Sequence, residues 1–194
     1  MRDLIKMVVV LTAICGTSGL VLSYVNEATK APREYQLLKF VKGPSLKVVL
    51  PEGYDNDPIT DKIQVKLGTD EKGQPILKDV FPAKKDGKIV AFAYDATASG
   101  YHGPVSLMIG FAPDGTLTGV SVMTHSETPG LGARITEPAF TRQFAKLKGL
   151  DQVKLSTQGG RIDAVSGATI SSTAAVTAVQ EAIKLFPKIK EEVL

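Results

Sequence analysis

Residues 105–123 read VSLMIGFAPDGTLTGVSVM, and this stretch decides the predicted fold. Two apolar runs flank the turn sequence Pro113-Asp114-Gly115, an arrangement typical of a β-hairpin. In the first run, apolar side chains at every second position are expected on one face of a sheet: Val105, Leu107, Ile109 and Phe111. The hairpin therefore predicts antiparallel pairing with one face buried in a core.

Three more strand-like runs precede the hairpin. They are IQVKLG at residues 63–68, PILKDVF at 75–81 and KIVAFAYDAT at 88–97, with turn residues between them. Two helices are predicted later in the chain. The first covers residues 138–147 with Phe140 and Phe144 on one side, and the second covers residues 172–186 and is ended by Pro187. Strands first and helices last favour an α+β domain with a mainly antiparallel sheet flanked by helices.

The N-terminal stretch is the longest apolar run in the chain. Residues 5–25 read IKMVVVLTAICGTSGLVLSYV, close to the roughly 20 residues that an α-helix needs to cross a bilayer. A cleaved signal peptide would have a shorter apolar region of about 7–15 residues, followed by a small-x-small site. Tyr24, Val25 and Asn26 stand at the end of this run, which favours a retained membrane anchor.

The anchor predicts four regions of the chain. Residues 1–4 lie in the cytoplasm, residues 5–25 form a single transmembrane helix, residues 26–44 form a helical linker broken at Gly43-Pro44, and residues 45–194 form the extracytoplasmic domain. The orientation depends on the α-amino group, Arg2 and Lys6 at the N-terminal edge of the span, which Lys30 and Arg33 partly offset after it.

The composition disfavours several classes of function. The net charge is only +3 with both signs interspersed, so no basic stripe is present for nucleic-acid binding. The one cysteine, Cys15, lies inside the apolar run, so no disulfide within the chain or thiolate metal site can form. With only two histidines, a histidine-rich metal or haem site is also disfavoured, and no metal site is predicted. Redox chemistry would therefore require an organic cofactor.

The stretch with the clearest chemistry is residues 163–172, DAVSGATISS. Gly167 permits a tight turn and Ala168 leaves the approach open, while the hydroxyl residues at 171–173 can cap the final helix. A helix that starts after a glycine turn presents free N–H groups and the positive end of its dipole, which suit a phosphate. The spacing alone equally fits a polar turn and helix cap that bind no ligand.

Residues 163–169, D-A-V-S-G-A-T, match the flavinylation signature D-x-x-S/T-G-A-T, and they resemble the FMN-binding domains of the membrane complexes Rnf and Nqr. Two further segments resemble that family in the same order along the chain, G-Y-H-G at 100–103 and H-S-E-T-P-G-L-G at 125–132. The resemblance covers nearly the whole chain. The length is nearer to the G subunit of Rnf than to the longer C subunit of Nqr.

The resemblance implies FMN held covalently through a phosphoester on Thr169. Ser166, Gly167 and Ala168 would lie at the cofactor, and Asp163 would belong to the recognition sequence. A threonine hydroxyl is a weak nucleophile and Asp163 is the only base in the motif, so the chain is not expected to attach the flavin itself. In the resembling family, a separate Mg-dependent flavin transferase uses FAD as the donor and releases AMP.

The resemblance also suggests how the isoalloxazine ring is held. Four residues of the second segment would form the wall beside the ring: Glu127, Thr128, Leu131 and Gly132. Tyr101 either stacks on the ring or packs in the core. His125 either bonds to the loop backbone or takes part in proton transfer, and Arg134 pairs either with the FMN phosphate or with Glu137.

The resemblance implies electron transfer in an Rnf-type ferredoxin:NAD oxidoreductase coupled to ion movement, on the outer side of the bacterial inner (cytoplasmic) membrane. The chain has no cysteine cluster, G-x-G-x-x-G motif or intramembrane carboxylate, so partner subunits would supply the ferredoxin, nicotinamide and ion sites, and no catalytic residue is assigned. One alternative is an Nqr-type C subunit or a free-standing FMN carrier. Another, of a different class, is a membrane-tethered assembly module without a cofactor.

Overall fold

The structure is a computed structural model, and it describes residues 2–69 and 73–194. The chain divides into two compact units, Met1–Phe40 and Val41–Leu194. The predicted domain boundaries at residues 4, 25 and 44 stay predictions.

The first unit contains a single long helix, α1 (Arg2–Leu37). Its segment Arg2–Lys30 has a mean hydropathy of 2.0 and is long and apolar enough to cross a bilayer. Hydroxyl groups within it bond to the helix itself, as when Thr12 donates to the Val8 carbonyl at 2.8 Å and Thr29 donates to the Val25 carbonyl at 2.7 Å. These bonds remove polar groups from the helix surface, which suits an apolar environment.

The predicted break at Gly43-Pro44 is wrong. A π-helical turn occupies Leu38–Lys42, and helix α2 then runs over Gly43–Val49. Pro44 lies in the first turn of α2, where its missing N–H would have no helical partner and its fixed φ angle suits a helix. The Gly-Pro pair therefore begins a helix.

The second unit is built on a five-stranded antiparallel sheet in which each strand pairs with its neighbours along the chain. The strands are β1 (Ile63–Thr69), β2 (Pro75–Lys85), β3 (Lys88–Ser99), β4 (Pro104–Phe111) and β5 (Leu117–Thr124). All five predicted strands and the predicted hairpin are confirmed. The α+β class is also confirmed, because helices pack on this sheet.

One face of the sheet forms the main core under the last helix, α4 (Thr169–Val193). The alternating residues of β4 are all buried in it, as predicted. The rings of Phe111 and Tyr94 stack with centroids 5.0 Å apart, and the Tyr94 hydroxyl donates to the Ala182 carbonyl of α4 at 2.8 Å. Burial raises the pKa of Tyr94, so the phenol remains a hydrogen-bond donor.

Helix α2 packs against strands β4 and β5. Leu46 and Val49 of this helix are buried, as is Met108 of β4. The close packing of α2 requires glycine at position 110, because a Cβ atom there would overlap the Val49 carbonyl oxygen. The Thr118 hydroxyl of β5 donates to the same carbonyl.

Both predicted helices after the sheet have different ends from those expected. The first is only α3 (Pro138–Thr141) followed by a 3-10 turn at Arg142–Phe144, because the Lys146 N–H then bonds to the Leu117 carbonyl of β5 at 2.8 Å. Phe140 and Phe144 nevertheless share the buried side, with ring centroids 5.5 Å apart.

The last helix is longer than predicted at both ends. Helix α4 begins at Thr169 rather than residue 172, and it continues through Pro187 to Val193. Proline removes one backbone hydrogen bond from a helix interior and usually kinks or ends the helix. Here Ile189 and Val193 are buried in the main core beyond the proline. That burial offsets the lost hydrogen bond.

Candidate functional site

A cleft of about 470 Å³ lies at the N-terminal end of α4, within the range of small-molecule sites. Three segments form it, namely the loop before β4, the loop after β5 and the start of α4. Its lining residues are Tyr101, Glu127, Thr128, Leu131, Gly132, Gly167, Ala168, Thr169, Ile170 and Ser171. The cleft thus brings together most of the site residues predicted from the sequence.

The start of α4 is shaped by a glycine turn, as predicted. Gly167 has a φ angle of +78°, which side-chain-bearing residues rarely adopt, and a Cβ atom there would lie 2.8 Å from Leu131 Cδ2. The Ser172 hydroxyl accepts the Val165 N–H at 3.0 Å and donates to the Ala168 carbonyl at 2.9 Å. These contacts fix the turn and leave Thr169 exposed as the first helical residue.

The predicted side-chain cap at residues 171–173 is wrong. Ala168 occupies the N-cap position of α4, and no side chain caps the helix. All three residues lie inside the helix. The Ser171 hydroxyl donates to Glu127, and the Ser172 and Thr173 hydroxyls donate to backbone carbonyls one turn earlier. The first N–H groups of α4 and its positive dipole end are therefore available to an anion.

Glu127 is the centre of the hydrogen bonding under the cleft. Its Oε1 accepts the backbone N–H groups of Tyr101 at 2.8 Å and His102 at 3.3 Å, and its Oε2 accepts the Ser171 hydroxyl. The residue is only 5% exposed. Burial alone would raise the pKa of this carboxyl, but the bonds from Ser171, His102 and Tyr101 favour the ionised form and hold the pKa below its usual range.

Two glycines pack directly against this carboxylate. A Cβ atom at Gly100 would overlap Glu127 Oε1, and one at Gly132 would lie 2.8 Å from Glu127 Oε2 and 2.7 Å from Ser171 Oγ. Glycine at both positions therefore lets the two loops close around Glu127.

The remaining predicted wall residues form the rim of the cleft. Tyr101 is 63% exposed, so its ring is not packed in the core, and it is perpendicular to the His102 ring with the centroids 4.6 Å apart. Leu131 is 46% exposed. The Thr128 hydroxyl lies 3.2 Å from His102 Nδ1. His125 Nδ1 accepts the Glu127 N–H at 3.2 Å, which is the backbone-bonded arrangement considered for this histidine.

Like His125, three further predicted residues lie outside the cleft lining. Asp163 and Ser166 are exposed in the approach to the glycine turn, and the Asp163 N–H donates to Gln143 Oε1 at 2.7 Å. Arg134 pairs with Glu137 at 3.5 Å, the second of its two predicted partners.

Sequence reasoning did not assign two residues of the cleft and one neighbouring surface. Ile170 and Ser171 line the cleft, and their position directly after Thr169 in the first turn of the helix was the available signal. A second cleft of about 550 Å³ lies beside the first and shares Thr169 and Ile170 with it. Its other lining residues are Thr97, Ala98, Ser99, Thr173, Ala174, Thr177 and Glu181. Thr169 thus stands on the ridge between two clefts.

The fold and the cleft define an FMN-binding domain. Residues 100–184 match the FMN-binding domain family, and this range contains the whole first cleft. Two solved structures share the fold at 21% sequence identity. The C subunit of the Na⁺-translocating NADH-quinone reductase from Parabacteroides distasonis aligns with a TM-score of 0.52 over 68% of this chain and 80% of that one. Shewanella oneidensis NqrC aligns with a TM-score of 0.51 over 76% and 72%.

Sequence relatives narrow the class further. The G subunit of the ion-translocating oxidoreductase complex from Methanosarcina acetivorans is 34% identical over 184 residues, which cover 94% of each protein. The G subunit of the proton-translocating ferredoxin:NAD(+) oxidoreductase complex from Clostridium ljungdahlii is 31% identical over 90% of this chain and 86% of that protein. The chain belongs to the family of G subunits of ion-translocating oxidoreductase complexes.

The residues of the first cleft fit an FMN group. The uncapped N-terminus of α4 suits the phosphate, and the open faces of Tyr101 and Leu131 suit an aromatic ring. The close approach of Gly167 to Leu131 brings the two regions together.

Proposed function

We propose that this chain is the electron-transferring flavoprotein of an Rnf-type complex, with FMN joined by a phosphoester to Thr169. The observation that supports this most is the position of Thr169. It is the acceptor residue of the D-x-x-S-G-A-T signature, it is exposed at the first turn of α4, and it lines the cleft formed by the other two family-like segments.

The chain's own residues bind and orient the cofactor. The first turn of α4 would hold the phosphate end, Leu131 and Tyr101 would lie beside the ring, and Thr128 would offer it a hydroxyl. FMN supplies the redox chemistry, because its isoalloxazine can take up and release one or two electrons. A covalent link also prevents loss of the cofactor by dilution on the outer side of a membrane.

A separate flavin transferase is proposed for the attachment. The Thr169 oxygen would displace AMP from the pyrophosphate of FAD, forming the phosphoester as the bond between the two phosphates breaks. The transfer needs a base for the Thr169 proton. Of the described residues lining the first cleft, only Glu127 is a carboxylate, and both its oxygens already accept hydrogen bonds. Glu181 of the second cleft is 12 residues along α4 from Thr169, about 18 Å away by the helical rise. The proposed transferase and its Mg²⁺ therefore supply the activation.

The location of the domain is part of the proposal. Helix α1 would anchor the chain in the cytoplasmic membrane with a single span and place residues 45–194 on the outer side. Partner subunits would supply the ferredoxin, nicotinamide and ion-translocating sites. The tethered flavin would then pass electrons between fixed partners.

Removing residues 1–25 should release the protein from the membrane without preventing flavin attachment, because the motif lies in the second compact unit. The truncated and full-length chains are each produced with a flavin transferase and fractionated. Both should fluoresce under ultraviolet light after denaturing gel electrophoresis, and only the truncated chain should be soluble. A truncated chain that stays with the membrane would contradict the single anchor. Absence of fluorescence from both chains would favour the cofactor-free assembly module.

Leu131→Glu should make the flavin midpoint potential more negative by roughly 30–100 mV, because a carboxylate beside the ring disfavours its anionic reduced forms. Thr128→Val should shift the potential or the visible spectrum by removing a hydroxyl from the ring edge. Spectroelectrochemical titration of the flavinylated proteins checks both, with Leu150→Glu as a control outside the cleft lining. Unchanged potentials and spectra for both variants would mean that the ring lies elsewhere, such as the second cleft.

A further inference from the structure

The first cleft contains one buried charge. Of the described residues that line it, Glu127 alone is charged at neutral pH, and it is 5% exposed. An isolated buried carboxylate is costly unless hydrogen bonds compensate its desolvation. Glu127 has this compensation, since two backbone N–H groups and one hydroxyl bond to its two oxygens.

The three donors come from segments far apart in the sequence. Tyr101 and His102 belong to the loop before β4, and Ser171 belongs to the first turn of α4. Glu127 itself follows β5, so one carboxylate joins all three walls of the cleft. Gly100 and Gly132 leave space for this carboxylate and for little else. The tight packing of Gly100 and Gly132 and the three donated hydrogen bonds thus both favour a hydrogen-bond acceptor at position 127.

We propose that Glu127 is a positioning residue that fixes the three walls of the cleft, and that its permanent negative charge makes the flavin attached at Thr169 harder to reduce. This inference rests on the proposed function. Reduction adds negative charge to the flavin, and a nearby carboxylate repels it. Because Glu127 is buried, solvent and salt screen its charge less than they screen a surface carboxylate.

The surroundings of Glu127 support an ionised carboxylate. Three titratable residues bond to Glu127: Tyr101 and His102 donate backbone N–H groups to its carboxylate, and His125 Nδ1 accepts its backbone N–H. The low pKa of the Glu127 carboxyl agrees with this geometry. Both carboxylate oxygens of Glu127 accept hydrogen bonds, so its role is to hold the three walls together and to keep a negative charge beside the cleft.

Glu127→Gln separates charge from geometry. The amide oxygen can still accept the N–H groups of Tyr101 and His102, and the amide nitrogen can donate to Ser171 Oγ. The potential is measured on the flavinylated fraction of the full-length protein in detergent, whatever the yield of covalent flavin. The equilibrium constant for one-electron reduction should rise roughly tenfold, as for loss of a unit charge at about 10 Å with an effective dielectric constant of about 20. This corresponds to about 59 mV toward less negative potential.

A matched control removes a carboxylate from the surface. Glu137→Gln makes the same chemical change at an exposed residue paired with Arg134 and outside the cleft, and it should leave the potential unchanged. Spectroelectrochemical titration compares the three proteins. Equal potentials for wild type and Glu127→Gln would overturn the electrostatic role.

The positioning role is tested without flavin. In full-length Thr169→Ala protein, hydrogen exchange of the amides at residues 101 and 102 should be at least tenfold faster after adding Glu127→Ala. It should be nearly unchanged after adding Glu127→Gln. Unchanged exchange in the Glu127→Ala protein would overturn the positioning role, and so would fast exchange in the Glu127→Gln protein. A wild type without covalent flavin would overturn the proposed function and with it the electrostatic role, whereas the exchange result would still decide the positioning role.

Discussion

Thr169→Ala should abolish covalent flavin while the domain stays folded. The reason is chemical, because a phosphoester needs the hydroxyl oxygen that alanine lacks. Thr169 is exposed at the first turn of α4, so its truncation should change the free energy of unfolding by no more than about 0.5 kcal/mol. Intact mass of protein produced with a flavin transferase measures the result. Wild type should gain the mass of FMN less one water, and the variant should gain nothing.

The best control is a substitution at Thr173, one helical turn after Thr169. Thr173 is also an exposed threonine of α4, and its hydroxyl donates to the Thr169 carbonyl at 2.8 Å. Thr173→Ala should keep the full mass gain, because the acceptor is untouched. Thr169→Val keeps the shape of threonine and should lose the gain as completely as Thr169→Ala. A flavin mass retained by both Thr169 variants would refute the assignment of the acceptor.

Phe111→Ala should lower the free energy of unfolding by roughly 3–5 kcal/mol, a large part of the stability of an ordinary domain. Phe111 is fully buried in β4, and its ring packs on Tyr94 at 5.0 Å and on Phe186 of α4 at 5.2 Å. Truncation would leave a cavity between the sheet and α4 and remove the ring contacts that join them. The melting temperature of the detergent-solubilised protein should fall by roughly 10 °C.

Ile76→Ala provides the comparison for this change. Ile76 lies in β2 and is 47% exposed, so shortening it removes little buried surface. Its effect should be near 0.5 kcal/mol. Equal shifts in melting temperature for Ile76→Ala and Phe111→Ala would show that the face of the sheet defined by alternation is not the core.

The sheet could be predicted because its information is local. Every strand pairs with the next one along the chain, so turn residues and alternation within about ten residues define each hairpin. The same alternation identified Val105, Leu107, Ile109 and Phe111 as core residues, and all four are buried.

Helix ends were predicted less well because distant packing decides them. Pro187 should stop a helix by local rules, yet Ile189 and Val193 continue it by reaching the core. Residues 138–147 have a helical pattern, but the backbone of Lys146 bonds to Leu117 of β5 instead. Neither contact can be read from neighbouring residues in the sequence.

The candidate site shows the same division. The glycine turn at Gly167 follows from a local motif, whereas the arrangement around Glu127 depends on partners 26 and 44 residues away. The family resemblance placed Glu127 beside the ring, but it did not predict that this carboxylate is buried and joins three segments. Its burial and its bonds follow only from the closure of three segments on one another.

Helix α4 has a consequence for how the protein matures. Thr169 begins the helix whose residues Ala175, Ala178, Val179 and Ala182 cover the sheet and are fully buried. A nascent chain can therefore contain the whole motif before the cleft beside Thr169 exists, because the walls of that cleft also come from the loops around Tyr101 and Glu127. If the flavin transferase recognises the assembled cleft and not the motif alone, it modifies folded chains and leaves misfolded ones unmodified. A covalent flavin would then mark a chain that has finished folding before it joins its complex.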